Sequence, residues 1–564
     1  MAWINIPTLK KNSVPTTIAS PGIGASDTTV PVTELSRFYD KNGDLIKSGI
    51  VIGFLNGDPT LAEEIAITGA SGTSGAGNLT GATRGVNADG AIGAAAVWPA
   101  DTEIAVMFSI GTFNTLKNDI ELDHAALAQK AIGPGSSVAG HLAVFGGTDG
   151  LTLADGGENL FKSTQPFGVK WNIASSSPTL TRIDRLGNTV TLATTDFDNH
   201  TVWGGMKRCN LSDTGVVNAW YGDTGFSYTG SNGQVMVWVP KFWYRAVKDV
   251  ATGYISYWIS GQPLPGYKVH PAFITNGKEM AGFFIGAFQA CTYDVSGSAY
   301  NLTDAAGVDT TATSGDKLAS ITGAKPTSGL NNSITLPLFR VLAQNRGSGW
   351  NLQNFNQIAA VELLYLIEYA SFYSQSVLSV GVTNITDDGS TNMAVNAGFT
   401  AGTGTGSSDL GNASGQVSIS HYKTAQTTYP FSYRGIENFY GNIWAWVDGI
   451  NISNNVPWIA DNGFASSTYA SPYISTGLTL LQSNDWVTQI AFAAKLDYGF
   501  LAQTGGGSSS TYLTDYYWQA TGDTAALFGG VWSSGAGAGA FFWDLSRPPS
   551  VVFRDVGARL AFFT

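Results

Sequence analysis

Charged residues are scarce in this chain, and their scarcity excludes one class of partner. Asp, Glu, Lys and Arg together make up 12% of the 564 residues, and the formal net charge at pH 7 is −12. Nucleic-acid binding requires clustered Lys and Arg to neutralise phosphates, and the sequence contains no such cluster. We therefore expect no nucleic-acid partner.

Cysteine is almost absent. The two that occur, Cys209 and Cys291, give neither a disulfide framework nor a metal-ligand spacing, so we expect two small buried side chains. Long apolar runs are missing too. No stretch approaches the roughly 18 apolar residues of a membrane span, and MAWINIPTLKKNSV lacks the apolar core of a signal peptide. We expect no membrane insertion and no export signal.

Glycine and aromatic residues are abundant instead. The chain has 69 Gly, and Phe, Trp and Tyr make up 12% of it, which is typical of a protein rich in strands and loops. The predicted fold class is therefore α+β and β-rich. A length prior of about 150 residues per domain gives roughly three or four segments, which we place at 1–110, 111–135, 136–164 and 165–564.

The first three segments differ in pattern. Residues 1–110 alternate short apolar runs with Gly/Ser/Ala-rich turns and predict a β-domain. Residues 136–164 hold two short apolar runs around a Thr-Asp-Gly turn and predict a β linker. Between them, 111–135 fits either a short coiled coil or an ordinary packed helix. Its heptad-spaced apolar positions are Phe113, Ile120 and Leu127, with Leu116 between the first two.

Segment 165–564 carries clearer secondary-structure signals. Apolar residues step by three or four through 355–374 and predict a helix, and the aromatic alternation of Val235–Arg245 predicts a strand. In RGIENFYGNIWAWVDGINI, residues 443–448 alternate as in a strand covered on both faces. Two stretches, 293–333 and 383–420, are rich in Gly, Ser, Thr and Ala and predict long surface insertions.

Catalytic motifs are missing. The chain has no GxSxG, no phosphate-binding loop and no CxxC, and its histidines stand singly at His124, His141, His200, His270 and His421. We expect no cofactor, no metal and structural roles for these histidines. Glu368, Glu437 and Asp448 could supply a carboxylate pair for glycoside hydrolysis. Hydrogen bonding to backbone and to Arg434 is the favoured interpretation.

The segment Gly529–Thr564 combines a rigid frame with positions free to vary. The frame consists of Gly529, Gly530, Trp532, Gly539, Phe541, Gly557 and Arg559. Glycines there allow tight turns and close backbone contact, and the aromatic residues anchor the segment. A binding surface mounted on a fixed scaffold has this character.

This frame resembles the C-terminal segment of phage receptor-binding proteins with a C-type lectin fold, in the branch related to formylglycine-generating enzymes. It is most similar to tropism determinants whose C-termini are diversified by retroelements. The family pattern GGxW, AG, GxR is met by Gly529 to Trp532, Ala538-Gly539 and Gly557 to Arg559. NRGSGW and GNIWAWVDG resemble further signatures of the same class, in the same order.

The resemblance implies a C-type-lectin-like domain over 165–564, a homotrimer and a place in the virion as part of a tail fibre or baseplate, assembled in the host cytoplasm. Residues 1–110 would attach to other tail or baseplate proteins, since Thr83-Arg84-Gly85 and Trp98-Pro99-Ala100 resemble phage attachment domains. The partner implied is a host cell-surface receptor, protein or polysaccharide. Formylglycine-generating enzymes carry a cysteine pair in their C-terminal segment. The corresponding segment here, Gly529–Thr564, contains no Cys, so we expect that the chain is not an enzyme.

The resemblance also implies which positions vary, because the family's variable positions can be placed on this sequence by matching the GGxW and GxR motifs. They correspond to Val531, Ser533, Ser534, Ala536, Asp544, Ser546, Arg547, Val551, Phe553, Asp555 and Val556. Arg547 and Phe553 are the expected energetic anchors because Arg and aromatic residues dominate binding hot spots. Asp544 and Asp555 would add selectivity through charge.

The predicted function is host recognition by a phage receptor-binding protein, diversified by a retroelement, without catalysis. Two alternatives stay open. A tail-associated glycan depolymerase would release saccharide fragments, and a structural baseplate or decoration protein would not bind intact cells.

Overall fold

The computed structural model describes residues 165–563 without a break and, before them, ten short strands between Thr16 and Asp155. The chain forms two compact units, one of Met1–Leu160 with Leu264–Gly266 and one of Phe161–Pro263 with Tyr267–Thr564. Strands outnumber helices in the described residues, which confirms the predicted β-rich α+β class. None of the helices described is both long and apolar enough to cross a membrane.

The described strands of the first unit pair antiparallel in three groups. A five-stranded sheet has the order Thr16–Thr17, Glu103–Met107, Gly49–Phe54, Ala62–Ile67, Thr83–Val86. A three-stranded sheet has the order Thr29–Val32, Gly77–Thr80, Gly69–Gly72. Ala143–Phe145 pairs with Leu153–Asp155, at the two short strands predicted in 136–164. The heptad helix predicted for 111–135 lies outside the described residues.

Three large sheets build the second unit. The five-stranded sheet runs Thr181–Ile183, Phe167–Asn172, Tyr254–Ser260, Trp243–Asp249, Lys268–Val269. The six-stranded sheet runs Val217–Trp220, Lys207–Leu211, Gln234–Pro240, Gly282–Gly286, Leu560–Phe562, Trp350–Leu352. The eight-stranded sheet runs Ile474–Ser475, Val456–Ile459, Trp444–Ser453, Asp523–Phe528, Trp543–Arg547, Tyr516–Gln519, Asp485–Trp486, with Val556–Gly557 beside Trp444–Ser453.

Smaller elements fill the connections. Short strands pair as Ile274–Thr275 with Lys278–Glu279, Ile419–Ser420 with Thr427–Thr428, and Gln489–Ile490 with Ala502–Thr504. Three-stranded sheets are Ala299–Asn301, Cys291–Asp294, Lys317–Ala319 and Gly415–Gln416, Phe431–Tyr433, Ile436–Glu437. The α-helices are Gly329–Asn332, Leu336–Gln344, Phe355–Tyr369 and Ser374–Val377, and 3₁₀ turns occupy Thr194–Asn199, Pro271–Phe273 and Gly535–Gly537.

The central helix, Phe355–Tyr369, lies in the core of the second unit. Asn354 Oδ1 accepts from the Gln357 amide at 3.0 Å, and Gln357 Oε1 accepts from the Asn354 amide at 3.1 Å. This capping box satisfies two amides at the helix start. The helix ends at Tyr369 because Ala370 adopts a left-handed conformation with φ 49°. The helix predicted over 355–374 is therefore confirmed, with an earlier end, and its side chains from Phe355 to Glu368 are all buried.

The strand predicted for Val235–Arg245 is two strands in different sheets. Gln234–Pro240 pairs with Gly282–Gly286, whereas Trp243–Asp249 pairs with Tyr254–Ser260. Pro240 has no N–H for a further ladder bond, and the chain crosses between the sheets just after it. The single-strand prediction was wrong because both halves carry the same aromatic alternation.

Trp444–Ser453 confirms the strand predicted to be covered on both faces. Every residue from Trp444 to Ile452 is buried, with Asp523–Phe528 paired along one edge and Val456–Ile459 along the other. The pairing shifts register between Val447 and Asn451, so the strand is bulged as it passes Asp448.

The Gly/Ser/Thr-rich segments 293–333 and 383–420 are not confined to the surface, which corrects the prediction. Their buried apolar side chains include Leu318, Ala319, Ile321, Ala324, Ile385, Met393, Ala394, Val395, Ala397, Ala401, Val417 and Ile419. Isolated apolar residues among small polar ones leave no periodic signal. Both segments therefore contribute to the core as well as to the surface.

Candidate functional site

The first loop, residues 529–538, follows the strand Asp523–Phe528 and is fixed by buried contacts on both sides. Trp532 is fully buried; its carbonyl accepts from the Ile385 amide at 2.7 Å, and its own amide donates to Asn442 O at 3.2 Å. The side-chain amide of Gln375 donates to the carbonyls of Gly535 and Ala538, both at 2.8 Å. The loop tip, with Ser533 and Ala536 exposed, is thus carried on an anchored base.

The second loop, residues 548–555, connects the strands Trp543–Arg547 and Val556–Gly557. Backbone amides from the neighbouring segment hold it, since Leu336 N donates to Pro549 O and Leu330 N to Phe553 O, each at 3.1 Å. Arg547 is exposed at the start of the loop, and its guanidinium lies 5.4 Å from the centroid of the Phe553 ring. Phe553 is 37% exposed, so a cation and an aromatic ring are presented together.

Arg554 joins the two loops. Its guanidinium lies 5.7 Å from the Trp532 ring centroid and makes a bidentate pair with Asp387, at 2.7 and 2.6 Å. It also donates to Thr391 O at 2.8 Å. Hydrogen bonding from Arg554 lowers the pKa of Asp387, and the same bond raises the pKa of Arg554. Sequence reasoning missed this pair because its partners lie 167 positions apart with no local pattern linking them.

Three predicted binding positions are buried, which corrects the predicted surface. Val531 and Val556 pack among apolar side chains. Asp544 is 2% exposed, and its carboxylate accepts from the Ser546 amide at 2.8 Å and the Ser546 hydroxyl at 2.5 Å. The two aromatic residues just before Asp544, Phe542 and Trp543, are also buried.

The other eight predicted positions retain exposed surface. Ser533, Ala536, Arg547 and Phe553 are exposed, and we call these four the loop face. Ser534, Ser546, Val551 and Asp555 are half-buried. Burial raises the pKa of Asp555.

The frame residues hold the loops by close packing. A Cβ on Gly557 would lie 2.7 Å from the backbone carbonyl oxygen of Thr327, and one on Gly539 would lie 2.2 Å from Asp515 Oδ1. Real Cβ atoms do not approach other atoms so closely, so any side chain here would displace its neighbours. The GxR and AG glycines are therefore explained by packing.

Arg559 ties the frame to two other parts of the fold. One terminal nitrogen donates to Gly286 O at 2.8 Å, and the other to Glu437 O at 2.7 Å and Asn438 O at 2.8 Å. The side chain is buried, and burial lowers the pKa of Arg559 to about 10. Its planar fork serves three carbonyls at once, a geometry that an ammonium cannot reproduce.

No protein-family model and no curated protein matches the sequence. Among solved structures the chain is similar to the P3c variant of the Major Tropism Determinant of a Bordetella phage, with 13% identity over 77% of this chain and 96% of that chain and a TM-score of 0.22. The I1 and U1 variants align with 13% identity over 77% of this chain, covering 96% and 98% of theirs, each with a TM-score of 0.21. Backbones at such TM-scores do not superpose as whole folds. The geometry of the two loops is therefore described from the contacts within this chain alone.

The carboxylates considered for catalysis are held in structural contacts. Glu368 makes a bidentate pair with Arg434, both bonds at 2.8 Å, and Asp448 pairs with Arg340 at 2.6 Å. Glu437 accepts from the amides of Gly398 and Thr400, at 2.6 and 2.7 Å. Burial raises the pKa of Glu368 and of Asp448. Glu368 thus pairs with Arg434 and Glu437 with backbone amides, as predicted for the three carboxylates. Asp448 differs, because its partner is Arg340.

Two further buried carboxyls lie beneath the frame. Glu362 Oε1 accepts from the Trp543 indole N–H at 3.1 Å, and Asp515 Oδ2 accepts from the Phe541 amide at 2.7 Å. Burial raises the pKa of both groups well above their ordinary values, and the Asp515 carboxylate adds to the effect on Glu362. Two carboxyl groups in contact with the frame segment, Glu362 and Asp515, therefore favour their neutral, protonated form.

This burial predicts a pH-dependent stability. Above the ordinary pKa of 4.5 the unfolded chain ionises Glu362, whereas the folded chain retains the proton. Unfolding then releases a proton, so the free energy of unfolding falls as pH rises, by up to about 1.4 kcal/mol per pH unit for one carboxyl. Glu362→Gln should flatten this decline above about pH 5, where only the unfolded chain is ionised at this position, as measured by urea unfolding. Asp515→Asn should act in the same way. If the free energy of unfolding declined with pH as steeply in both variants as in the parent, the prediction would be contradicted.

The described histidines and cysteines are structural. His200 bonds Gln165 O at 3.1 Å and His421 bonds Met393 O at 2.8 Å, while burial lowers the pKa of His270 to about 3. Cys209 and Cys291 are buried and unpaired, and burial raises the pKa of each thiol to about 12. Within residues 165–563 and the earlier described strands, no cluster of His, Cys, Asp or Glu is arranged to hold a metal. His124 and His141 lie outside the described residues.

Proposed function

We propose that this chain is a receptor-binding protein of a phage tail that recognises the host cell surface through the loop face. The observation that carries the proposal is the exposed pair of Arg547 and Phe553, at 5.4 Å, on a loop fixed by buried anchors. The family resemblance of the frame residues, together with the positions it marks as variable, supports the same conclusion.

The chemistry of the loop face suits recognition of a macromolecule. Arg and aromatic side chains contribute most of the energy at protein interfaces. The base of each loop is already hydrogen-bonded, so binding would order little additional chain, and the entropic cost of association would be low. Substitutions at the tips would change specificity while leaving the buried anchors intact.

Assembly would strengthen a modest single site. The proposal includes a homotrimer attached to the virion through residues 1–110, with several copies on each particle. Linked sites raise avidity by about 10²–10⁴ when geometry allows simultaneous contact. Diversification of the exposed tips by a retroelement would then alter host range without loss of attachment to the particle.

Recognition without catalysis is also part of the proposal. The three carboxylates that could have served a glycosidase are engaged by Arg340, Arg434 and backbone amides. We expect incubation with host surface polysaccharide to release no saccharide fragments. Release of fragments would favour a depolymerase instead.

The decisive experiment measures binding of labelled, full-length protein to candidate host cells. The variant Arg547→Ala with Phe553→Ala should bind at least about tenfold more weakly, since hot-spot truncations cost this much or more. A matched control removes another cation–aromatic pair, Lys170 and Tyr254, whose Nζ lies 4.1 Å from the ring centroid on the five-stranded sheet. Lys170→Ala with Tyr254→Ala should bind as the parent does.

Equal binding by the parent and the loop-face variant would overturn the proposed site. Absence of binding by the parent to every host tested would favour a structural role in the virion. Thermal unfolding of both variants, compared with that of the parent, separates a loss of binding from a loss of folding, because Lys170 and Tyr254 are half-buried and Arg547 also contacts Asp544.

A further inference from the structure

A polar cavity of about 340 Å³ lies between the two Gly/Ser/Thr-rich segments. Its lining includes Thr303, Lys325, Asn331, Thr391, Tyr422 and Lys423. Ligand pockets span about 300–1,000 Å³, so this cavity has room for one ring-sized group. We propose that it binds a saccharide unit that carries a carboxylate.

The two lysines of the cavity differ in their partners, since Lys423 pairs with Asp388 whereas Lys325 contacts neutral groups. Lys325 Nζ donates to Asn392 O at 2.9 Å and to the Tyr422 hydroxyl at 2.7 Å, which are both neutral. Within the described residues no carboxylate lies at salt-bridge distance from Lys325. Partial burial lowers the pKa of Lys325, and the more distant charge of Asp304 opposes that effect. A carboxylate entering the cavity would give Lys325 a charged partner at hydrogen-bond distance.

Two acidic groups are already engaged: Asp304, which itself lines the cavity, and Asp388, which lies next to it. Asp304 accepts from the Ser328 amide and hydroxyl at 2.9 and 2.7 Å, and from the Asn331 and Asn392 amides at 3.1 and 2.9 Å. Asp388 accepts from Lys423 Nζ and from the Thr391 amide. Their lone pairs are used within the protein and Lys423 is paired with Asp388, so Lys325 is the charged group of the cavity left to bind a ligand.

The remaining lining suits the hydroxyl groups and ring of a sugar. Thr303 and Asn331 are exposed and offer a hydroxyl and an amide carbonyl oxygen, so the site can both donate and accept. Tyr422 is 60% exposed, with the Lys325 ammonium 4.5 Å from its ring centroid. The exposed part of its ring can contact the C–H face of a pyranose.

The cavity adjoins the second loop but is separate from the loop face. Thr391 lines it, and the carbonyl of the same residue accepts from Arg554 at 2.8 Å. Saccharide binding here stands whether or not Arg547 and Phe553 contact a receptor. The two sites can therefore be tested with separate variants.

The test is isothermal titration of the full-length protein with a hexuronic-acid oligosaccharide and, separately, with the matching neutral hexose oligosaccharide. We expect the parent to bind the acidic probe at least about tenfold more tightly, because a charge-assisted bond is lost with the neutral one. Tyr422→Ala and Lys325→Gln should each weaken binding of the acidic probe by about tenfold. Arg547→Ala with Phe553→Ala should leave it unchanged.

Three results would overturn the proposal: no binding of the acidic probe by the parent, equal affinity for both probes, or full affinity in Tyr422→Ala. Tyr422 is exposed, so its replacement tests the site even where Lys325→Gln disturbs folding. Loss of affinity in the loop-face variant, with both cavity variants unaffected, would move saccharide binding to the loop face and also overturn the proposal.

Discussion

Arg434→Met should lower the free energy of unfolding by about 3–5 kcal/mol, because it leaves a buried carboxylate without its partner. The guanidinium meets Glu368 through two bonds of 2.8 Å, and the side chains of the two residues are 7% and 2% exposed. Tyr433 OH also donates to Glu368 at 3.0 Å. That single neutral bond cannot replace the charge pair, so the carboxyl would either stay ionised at a high cost or take up a proton.

The variant Arg554→Met serves as the comparison, because it removes an arginine from a less buried ion pair. Arg554 makes an equally bidentate pair with Asp387, but the side chains there are 18% and 34% exposed. Water stabilises an abandoned carboxylate at such a site, so we expect a loss of at most about 1 kcal/mol. Chemical denaturation of both variants at neutral pH measures the difference. Similar losses in the two variants would show that the Arg434 pair gains nothing from its buried position.

Arg559→Lys should destabilise the protein by about 3 kcal/mol or more, although the charge is kept. The arginine serves the carbonyls of Gly286, Glu437 and Asn438, all within 2.8 Å. A lysine ammonium cannot span the two directions, so at least one or two buried carbonyls would lose their donor, at about 1–3 kcal/mol each.

A second lysine substitution provides the control for Arg559→Lys. Arg547→Lys changes an exposed arginine that contacts Asp544 Oδ2 at 3.3 Å and should alter stability by less than about 0.5 kcal/mol. Urea unfolding of the two variants at one pH makes the comparison. An Arg559→Lys variant as stable as Arg547→Lys would mean that the fork geometry is not what joins the frame to the sheets.

Local signals in the sequence were enough to predict local structure. The helix start at Phe355 follows from the Asn354 and Gln357 capping box and a three-to-four-residue apolar spacing. Trp444–Ser453 follows from apolar residues on both faces. In each case the determining residues lie within one element, so their spacing survives in the linear sequence.

Features decided by distant residues were not predictable. The break after Pro240 depends on which sheet each half of the run joins, and the burial of Ile385 and Met393 depends on surfaces supplied from elsewhere. At the site, the resemblance marked eleven positions, yet Val531, Asp544 and Val556 are buried. Matching the motifs of a family gives the order of residues along the chain. Whether each side chain faces the core or the solvent depends on the strand that carries it.

The strand Leu560–Phe562 lies between Gly282–Gly286 and Trp350–Leu352 in the six-stranded sheet. During synthesis on the ribosome, both neighbours would emerge more than two hundred residues before the strand that separates them. Until then, two strand edges stay open, and open edges invite pairing with other chains. A nonsense or frameshift mutation upstream of Leu560 would therefore yield a chain with an incomplete sheet, suited to proteolysis rather than to assembly.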